Sequence, residues 1–437
     1  MKNVLIICLL FISAHSFTFA QKWTTEMDSV LRVLEQDSLF DGQLLIAEKG
    51  NIIYSKSYGH TVSSTPISNE TSMSVYSVGK SFTTTAIMIL EKKELLDYDD
   101  PVKNFIPDFP YSRITVRQLL TMTSGLPRFL ETALKYADTT TLISNREILQ
   151  LIARHKPGAG TPGAEFAYNN SNYILLASIV EKVSGLPFAE FLDKNIFTPL
   201  NMENTRETTS RSIENLSKSE INSDNFYRPY GTGSVATTAT DLFKYDQALY
   251  SDKLLSPASK KEAFKCVKLA DGLYSNYGFG WRINDCDNPK EVYHVGDGTN
   301  MRASFQRFLG TRNTFIYIHA NSNIYHQQVY RAVRNIWEGK PYELPQKRIA
   351  YNIDTALYQK YTGSYLSNFG LVNVSTDDGK LFLRPDPVPA KEELVPSSDT
   401  TFYFKNQNLE WEFFLDENGD VAGFGIKGDR ENMGSRQ

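Results

Sequence analysis

Cysteine is scarce, with three in 437 residues, and the six histidines lie scattered. No Cys-x-x-Cys or His-x-x-x-His spacing occurs, so no bound metal is expected. Positive charge is not in excess either: 46 basic against 50 acidic side chains give a net charge of −4 and a pI near 6.0. The lack of a basic face argues against nucleic acid as the main partner. After residue 20 no apolar run is long enough to cross a membrane.

The chain does have one short apolar run, at its start. Met1-Lys2-Asn3 precedes Val4 to Ala14, and the small residue Ala20 stands before Gln21-Lys22. This reads as a secretory signal peptide, residues 1–20, cleaved after Ala20, and places the mature chain in the periplasm or outside the cell. Cys8 sits inside the apolar run rather than at its end, which does not suit a lipid anchor. Export leaves Cys266 and Cys286 either to pair or to serve as two small buried apolar residues, and both readings stay open. Four hundred residues exceed one ordinary core, so two domains are expected.

The chain is organised around Val75-Tyr76-Ser77-Val78-Gly79-Lys80-Ser81, which runs into the apolar stretch from Phe82 to Leu90. That stretch reads as a buried helix with Ser77 at its start and Lys80 one turn on, on the same face. A lysine amine beside a serine hydroxyl can take its proton, provided burial holds the amine near neutrality. The free N–H groups of a helix start favour a nearby oxyanion. The pattern therefore points to a covalent acyl-transfer nucleophile. Serine before a helix is also an ordinary N-cap, and lysine in a first turn an ordinary solvated residue, so the rest of the chain has to decide.

Thr25–Asp37 has helical spacing. Residues 40–59 alternate like a hairpin about Glu48-Lys49-Gly50-Asn51. Ile114–Leu126 reads as a capped helix closed by Gly125. A Pro/Gly-rich loop, residues 157–163, leads to Tyr168-Asn169-Asn170 and a further helix. Trp337–Gln346 reads as a linker, and from Tyr361 short strands recur, with hairpin turns at Asp378-Gly379 and Asn418-Gly419.

In this order, Ser77-Val78-Gly79-Lys80, Gln118–Leu126, Tyr168-Asn169-Asn170, Gly231–Leu242, Tyr277-Gly278-Phe279-Gly280-Trp281 and His294-Val295-Gly296 resemble the serine β-lactamase and D,D-peptidase superfamily, in particular its class C-like branch. The resemblance implies an α/β (α+β) fold: an antiparallel sheet flanked by helices with a helical subdomain. It also implies a separate small antiparallel barrel similar to the lipocalin-like module appended to such hydrolases. The domains expected are 21–337 for the hydrolase, 338–360 for a linker and 361–437 for the barrel.

By the same resemblance Ser77 is the nucleophile, and Lys80 and Tyr168 move protons. Asn170 orients Lys80 and holds a substrate carbonyl. His294 donates a hydrogen bond or supplies a cation, and Gly296 lets substrate backbone approach. The backbone N–H groups of Ser77 and Asp297 form the oxyanion hole. Tyr274-Ser275-Asn276 fits the Tyr-x-Asn pattern too, but lacks the Pro/Gly loop before it. Three departures stand out: His294 where many relatives carry lysine, a carboxylate at Asp297 that is unfavourable for a substrate carboxylate, and Met122 where relatives often carry histidine. The implied activity is an exported serine hydrolase of D-amino-acid peptides or small esters and amides, as in D,D-carboxypeptidases, D-aminopeptidases and esterases. It needs no cofactor. The alternatives are a β-lactamase and a non-catalytic penicillin-binding protein.

Overall fold

The computed structural model describes residues 23–437 except 62, 139–142, 209–228, 299–300, 321–324, 349, 368–369, 387–390, 405–409 and 431–432. The expected signal peptide lies outside the described residues. The chain forms two compact units, Phe40–Ser322 on one hand and residues 1–39 with 323–437 on the other. The expected domain limits at 337 and 361 do not coincide with these units: residues 323–360 fall in the same unit as the barrel strands.

In the first unit, the hairpin β1 (Asp41–Glu48) and β2 (Asn51–Tyr58) forms where its alternation suggested. It joins the late strands β3 (Arg282–Ile283), β4 (Glu291–Asp297), β5 (Met301–Phe308) and β6 (Asn313–Ala320) in an antiparallel sheet, order β2-β1-β6-β5-β4-β3. Strands from both ends of the unit thus enclose the helices between them. Helix α1 (residues 23–36) belongs to the other unit. Helix α2 (Lys80–Lys92) is buried at every residue from Lys80 to Leu90, as an apolar-all-round helix must be. It packs on the later helix Ser171–Ser184 in one continuous core.

Helix α3 (Val116–Leu120) has a capping box of Thr115 and Gln118 but is far shorter than the expected Ile114–Leu126. Its apolar pattern continues, yet Met122 adopts φ +58°, which ends α-helical geometry well before Gly125. Helix α4 (Phe129–Tyr136) follows, then α5 (Ser171–Ser184) and α6 (Ala239–Leu249). Phe82 of α2 sits 4.6 Å from the Tyr245 ring of α6, and Thr85 hydrogen-bonds the Tyr245 hydroxyl at 2.7 Å.

The second unit holds α1, α7 (His326–Glu338), α8 (Tyr358–Tyr361) and a closed antiparallel barrel. The barrel strands are β7 (Gly363–Ser367), β8 (Gly370–Asp377), β9 (Lys380–Pro385), β10 (Glu392–Pro396), β11 (Thr401–Phe404), β12 (Glu410–Leu415), β13 (Val421–Ile426) and β14 (Gly434–Arg436). Closure of β7 on β14 removes both sheet edges. Its core is aromatic: Tyr361, Tyr365, Phe402, Phe413 and Phe424 pack together with Leu381 and Leu394. Ile353 and Tyr358 join this core, so residues expected in a linker are part of the barrel's own packing. No helix among the described residues is long and apolar enough to cross a membrane.

Candidate active site

Ser77 lies in a 3-10 turn, Tyr76–Gly79, that runs directly into α2. The spacing of three residues brings Lys80 beneath it. The Lys80 ammonium donates to Ser77 Oγ at 2.9 Å and to the Thr232 carbonyl at 2.5 Å. Its Nζ lies 5.1 Å from the centre of the Tyr168 ring and 5.7 Å from that of Tyr173. Among the described residues no carboxylate bonds to it. Lys80 is wholly buried, and desolvation lowers its amine from the ordinary 10.5 to about 7. The amine is therefore poised between its two protonation states near neutral pH.

Tyr168 stands close enough to the same Ser77 for the serine hydroxyl to act on its phenol. Burial raises its phenol above the ordinary value; the Ser77 hydroxyl and the charge of Arg282 pull it only partly back. The Arg282 guanidinium stands 5.8 Å from the Tyr168 ring centre. Tyr168 is thus a protonated phenol at neutral pH, and of the two groups on Ser77 only Lys80 is ready to act as base.

The Tyr-Asn-Asn element divides its work. Asn169 anchors the turn: its Nδ2 donates to Leu126 O at 2.6 Å and its Oδ1 accepts from Ser171 N at 3.0 Å. Asn170 is thereby left for the cleft, where its buried Oδ1 has no hydrogen-bond partner among the described residues. It is not among the hydrogen-bond partners of Lys80, whose second contact is Thr232 O, so the orienting role expected of Asn170 falls to that carbonyl. Met122 is fully buried, and its sulfur accepts from Asn169 N and Asn172 Nδ2, consistent with a packing change.

Two expectations for β4 need correction. His294 is 1% exposed and its imidazole is depressed to about 3, by burial first and by the nearby Lys80 charge second, so it is not a cation. Nδ1 lies 2.8 Å from Val295 O, which can only accept; Nδ1 therefore carries the proton, and Nε2 accepts from the Tyr277 hydroxyl at 3.2 Å. Gly296 does not make room for substrate. A Cβ there would lie 2.0 Å from Val75 O, so the missing side chain lets β4 press on the nucleophile's own turn. Asp297, by contrast, is exposed, and its carboxylate pairs at 2.8 Å with Arg302, its partner across the strand pair.

A cleft of about 660 Å³ opens over Ser77 and is lined by Tyr76, Tyr168, Asn170, Thr232, Gly233 and Asp297, with Arg128 and Glu131 of the α4 end at its side. Cys266 and Cys286 form a disulfide, which decides the question left open by the sequence. It closes the loop carrying Tyr277 and Arg282, the residues that back His294 and Tyr168. Among the described residues no group of His, Cys, Asp and Glu could hold a metal ion. Thr232, Arg282 and Tyr173 were not foreseen as site residues. Thr232 acts through its backbone, for which side-chain chemistry carries no signal, although it lies in the Gly231–Leu242 element.

The Beta-lactamase family model matches residues 30–339. The chain is 32% identical over 423 residues to penicillin-binding protein 4* of Bacillus subtilis, covering 90% of this chain and 94% of that protein. A D-aminopeptidase of Cereibacter sphaeroides is 25% identical over 306 residues, covering 65% of this chain and 58% of its own length. Among solved structures, an octameric penicillin-binding protein homologue from Pyrococcus abyssi superposes with a TM-score of 0.59 at 21% identity, covering 94% of this chain and 99% of that one.

Proposed function

Since this chain belongs to the β-lactamase family of serine hydrolases, we propose that it cleaves D-amino-acyl amides and esters bearing a free α-ammonium group, through an acyl-enzyme on Ser77, and that it works after export. The observation carrying the reading is Lys80: fully buried, 2.9 Å from Ser77 Oγ, and poised near neutrality.

In this mechanism neutral Lys80 takes the Ser77 hydroxyl proton as Oγ attacks the carbonyl. The backbone N–H groups of Ser77 and Asp297 hold the oxyanion; one such donor is worth roughly 3 kcal/mol. Tyr168 gives its phenolic proton to the leaving group and takes the proton held on Lys80. Water then attacks the ester with the same pair as acid and base. Asn170 Oδ1, buried and unpartnered, is the acceptor for an N–H of the bound acyl group.

The charges of the cleft support an ammonium over a carboxylate. His294 is neutral, Arg302 faces Asp297 and Arg128 faces Glu131, while Arg282 lies against the Tyr168 ring and not in the cleft lining. Among the described residues that line the cleft the only arginine is Arg128, and the carboxylates of Asp297 and Glu131 stand beside it. The test compares D-alanine p-nitroanilide with an N-acyl-D-alanyl-D-alanine peptide. The free-amine substrate should have the larger kcat/KM by at least about tenfold, and its acidic limb should fall at about pH 7 with Lys80. Preference for the acylated carboxylate peptide would overturn the substrate assignment.

A further inference from the structure

The turn that carries Ser77 is gripped by backbone rather than by side chains. Tyr76, immediately before the nucleophile, has φ +45°, a left-handed conformation for which tyrosine has no special tolerance. Glycines face the turn on both sides. A Cβ at Gly233 would lie 2.7 Å from Tyr76 C; one at Gly296, 2.0 Å from Val75 O; one at Gly298, 2.0 Å from Tyr76 Cζ. Real Cβ atoms do not come so close, so the Tyr76 backbone is pressed between Gly233 and β4, and its ring lies directly on Gly298. Strain held at such a place by close packing on every side is a sign of function.

Tyr76 touches both halves of the oxyanion site. Its own carbonyl belongs to the peptide unit that presents the Ser77 N–H. Its ring rests on the residue next to Asp297, whose N–H is the second donor. We propose that Tyr76 is a positioning residue that fixes the span between these two donors: the left-handed backbone turns the Ser77 N–H into the cleft, and the ring on Gly298 holds the Asp297 N–H at its distance. This rests on the acyl-transfer reading above.

The test is a cycle of Y76A, G298A and Y76A/G298A, with Y76G and Y76F beside it. Each is read by melting temperature, by kcat and KM, and by the rate at which an activated phosphonate labels the protein, followed by intact mass. Y76A should lower kcat about 30-fold, short of the 10²–10³ lost with an entire donor, with KM within about threefold. Y76F keeps the ring and should recover most of that loss. G298A should cost a similar factor in the wild type, because its methyl strikes the ring, and nothing further in Y76A, where the ring is gone. Y76G should be as slow as Y76A yet melt about 2–4 °C above it, since glycine accepts the left-handed backbone. Equal costs of G298A in both backgrounds, an effect of Y76A on KM alone, or a Y76G variant melting below Y76A would each overturn the proposal. Should G298A not fold, the Y76A–Y76G comparison decides by itself. A wild type that no phosphonate labels would instead sink the acyl-transfer reading, and labelling indifferent to Tyr76 would sink only this inference.

Discussion

Replacing Lys80 by methionine lowers kcat/KM by about 10³-fold or more and at the same time raises the melting temperature. The first effect follows from removing the one base in contact with Ser77 Oγ. The second follows from what its burial costs. Lowering a lysine from 10.5 to about 7 corresponds to about 5 kcal/mol of unfavourable transfer for the charged form. Methionine fills a similar volume without charge, but forfeits the bonds to Ser77 and Thr232 O, about 1–3 kcal/mol where the carbonyl stays buried. The balance favours the variant, by roughly 5 °C in Tm.

The pH dependence fixes the sign. Lys80 titrates lower in the folded than in the unfolded protein. The penalty is therefore fully present below pH 7 and fades as pH rises toward 10.5. The advantage of K80M in thermal melts should be largest at pH 6 and be gone by pH 10. A variant that melts below wild type at pH 6 would mean that the lysine contributes stability, and that its lowered pKa is not the result of uncompensated burial.

The second large effect concerns stability alone. Arg307 of β5 and Asp246 of α6 form an ion pair at 2.5 Å in which both side chains are at most 1% exposed. Asp246 also accepts from Thr314 Oγ1 at 2.7 Å, and the guanidinium lies 4.6 Å from the Tyr250 ring centre and 5.7 Å from that of Trp281. Arg307→Met leaves a fully buried carboxylate without its cation, at a cost of about 3–5 kcal/mol. That is close to 10 °C in Tm for a unit of this size. Adding Asp246→Leu to the same chain should recover much of the loss, because two apolar groups leave no charge unpaired. Chemical denaturation of the single and double variants measures both. A single variant within 1 kcal/mol of wild type would mean that the interior there is wetter than the packing indicates.

What the sequence made legible was local. Ser77 and Lys80 are three residues apart on a helix start, so their meeting needs no knowledge of the fold, and the β1–β2 hairpin announces itself by alternation. What it concealed was tertiary. The Lys80 contact to Thr232 joins positions 152 residues apart through a carbonyl that every residue type has. The neutrality of His294 depends on burial against Tyr277, and the reason for Gly296 is a backbone 221 positions away, at Val75. In the barrel, β10 and β14 carry little strand signal, because Glu392-Glu393-Leu394-Val395-Pro396 holds charge and a proline, and Gly434–Arg436 is only three residues long. Residues 353–360 read as linker because Ile353 and Tyr358 pack on strands that come later in the chain.

The central claim is that Ser77 is the acylating nucleophile. The most direct measurement is the intact mass of the full-length mature protein after incubation with an activated phosphonate and, separately, a penicillin, for wild type and Ser77→Ala. One phosphonate adduct per wild-type chain is expected and none on the variant, with any penicillin adduct equally dependent on Ser77. An unlabelled wild type, or a Ser77→Ala variant labelled to the same extent, would contradict it.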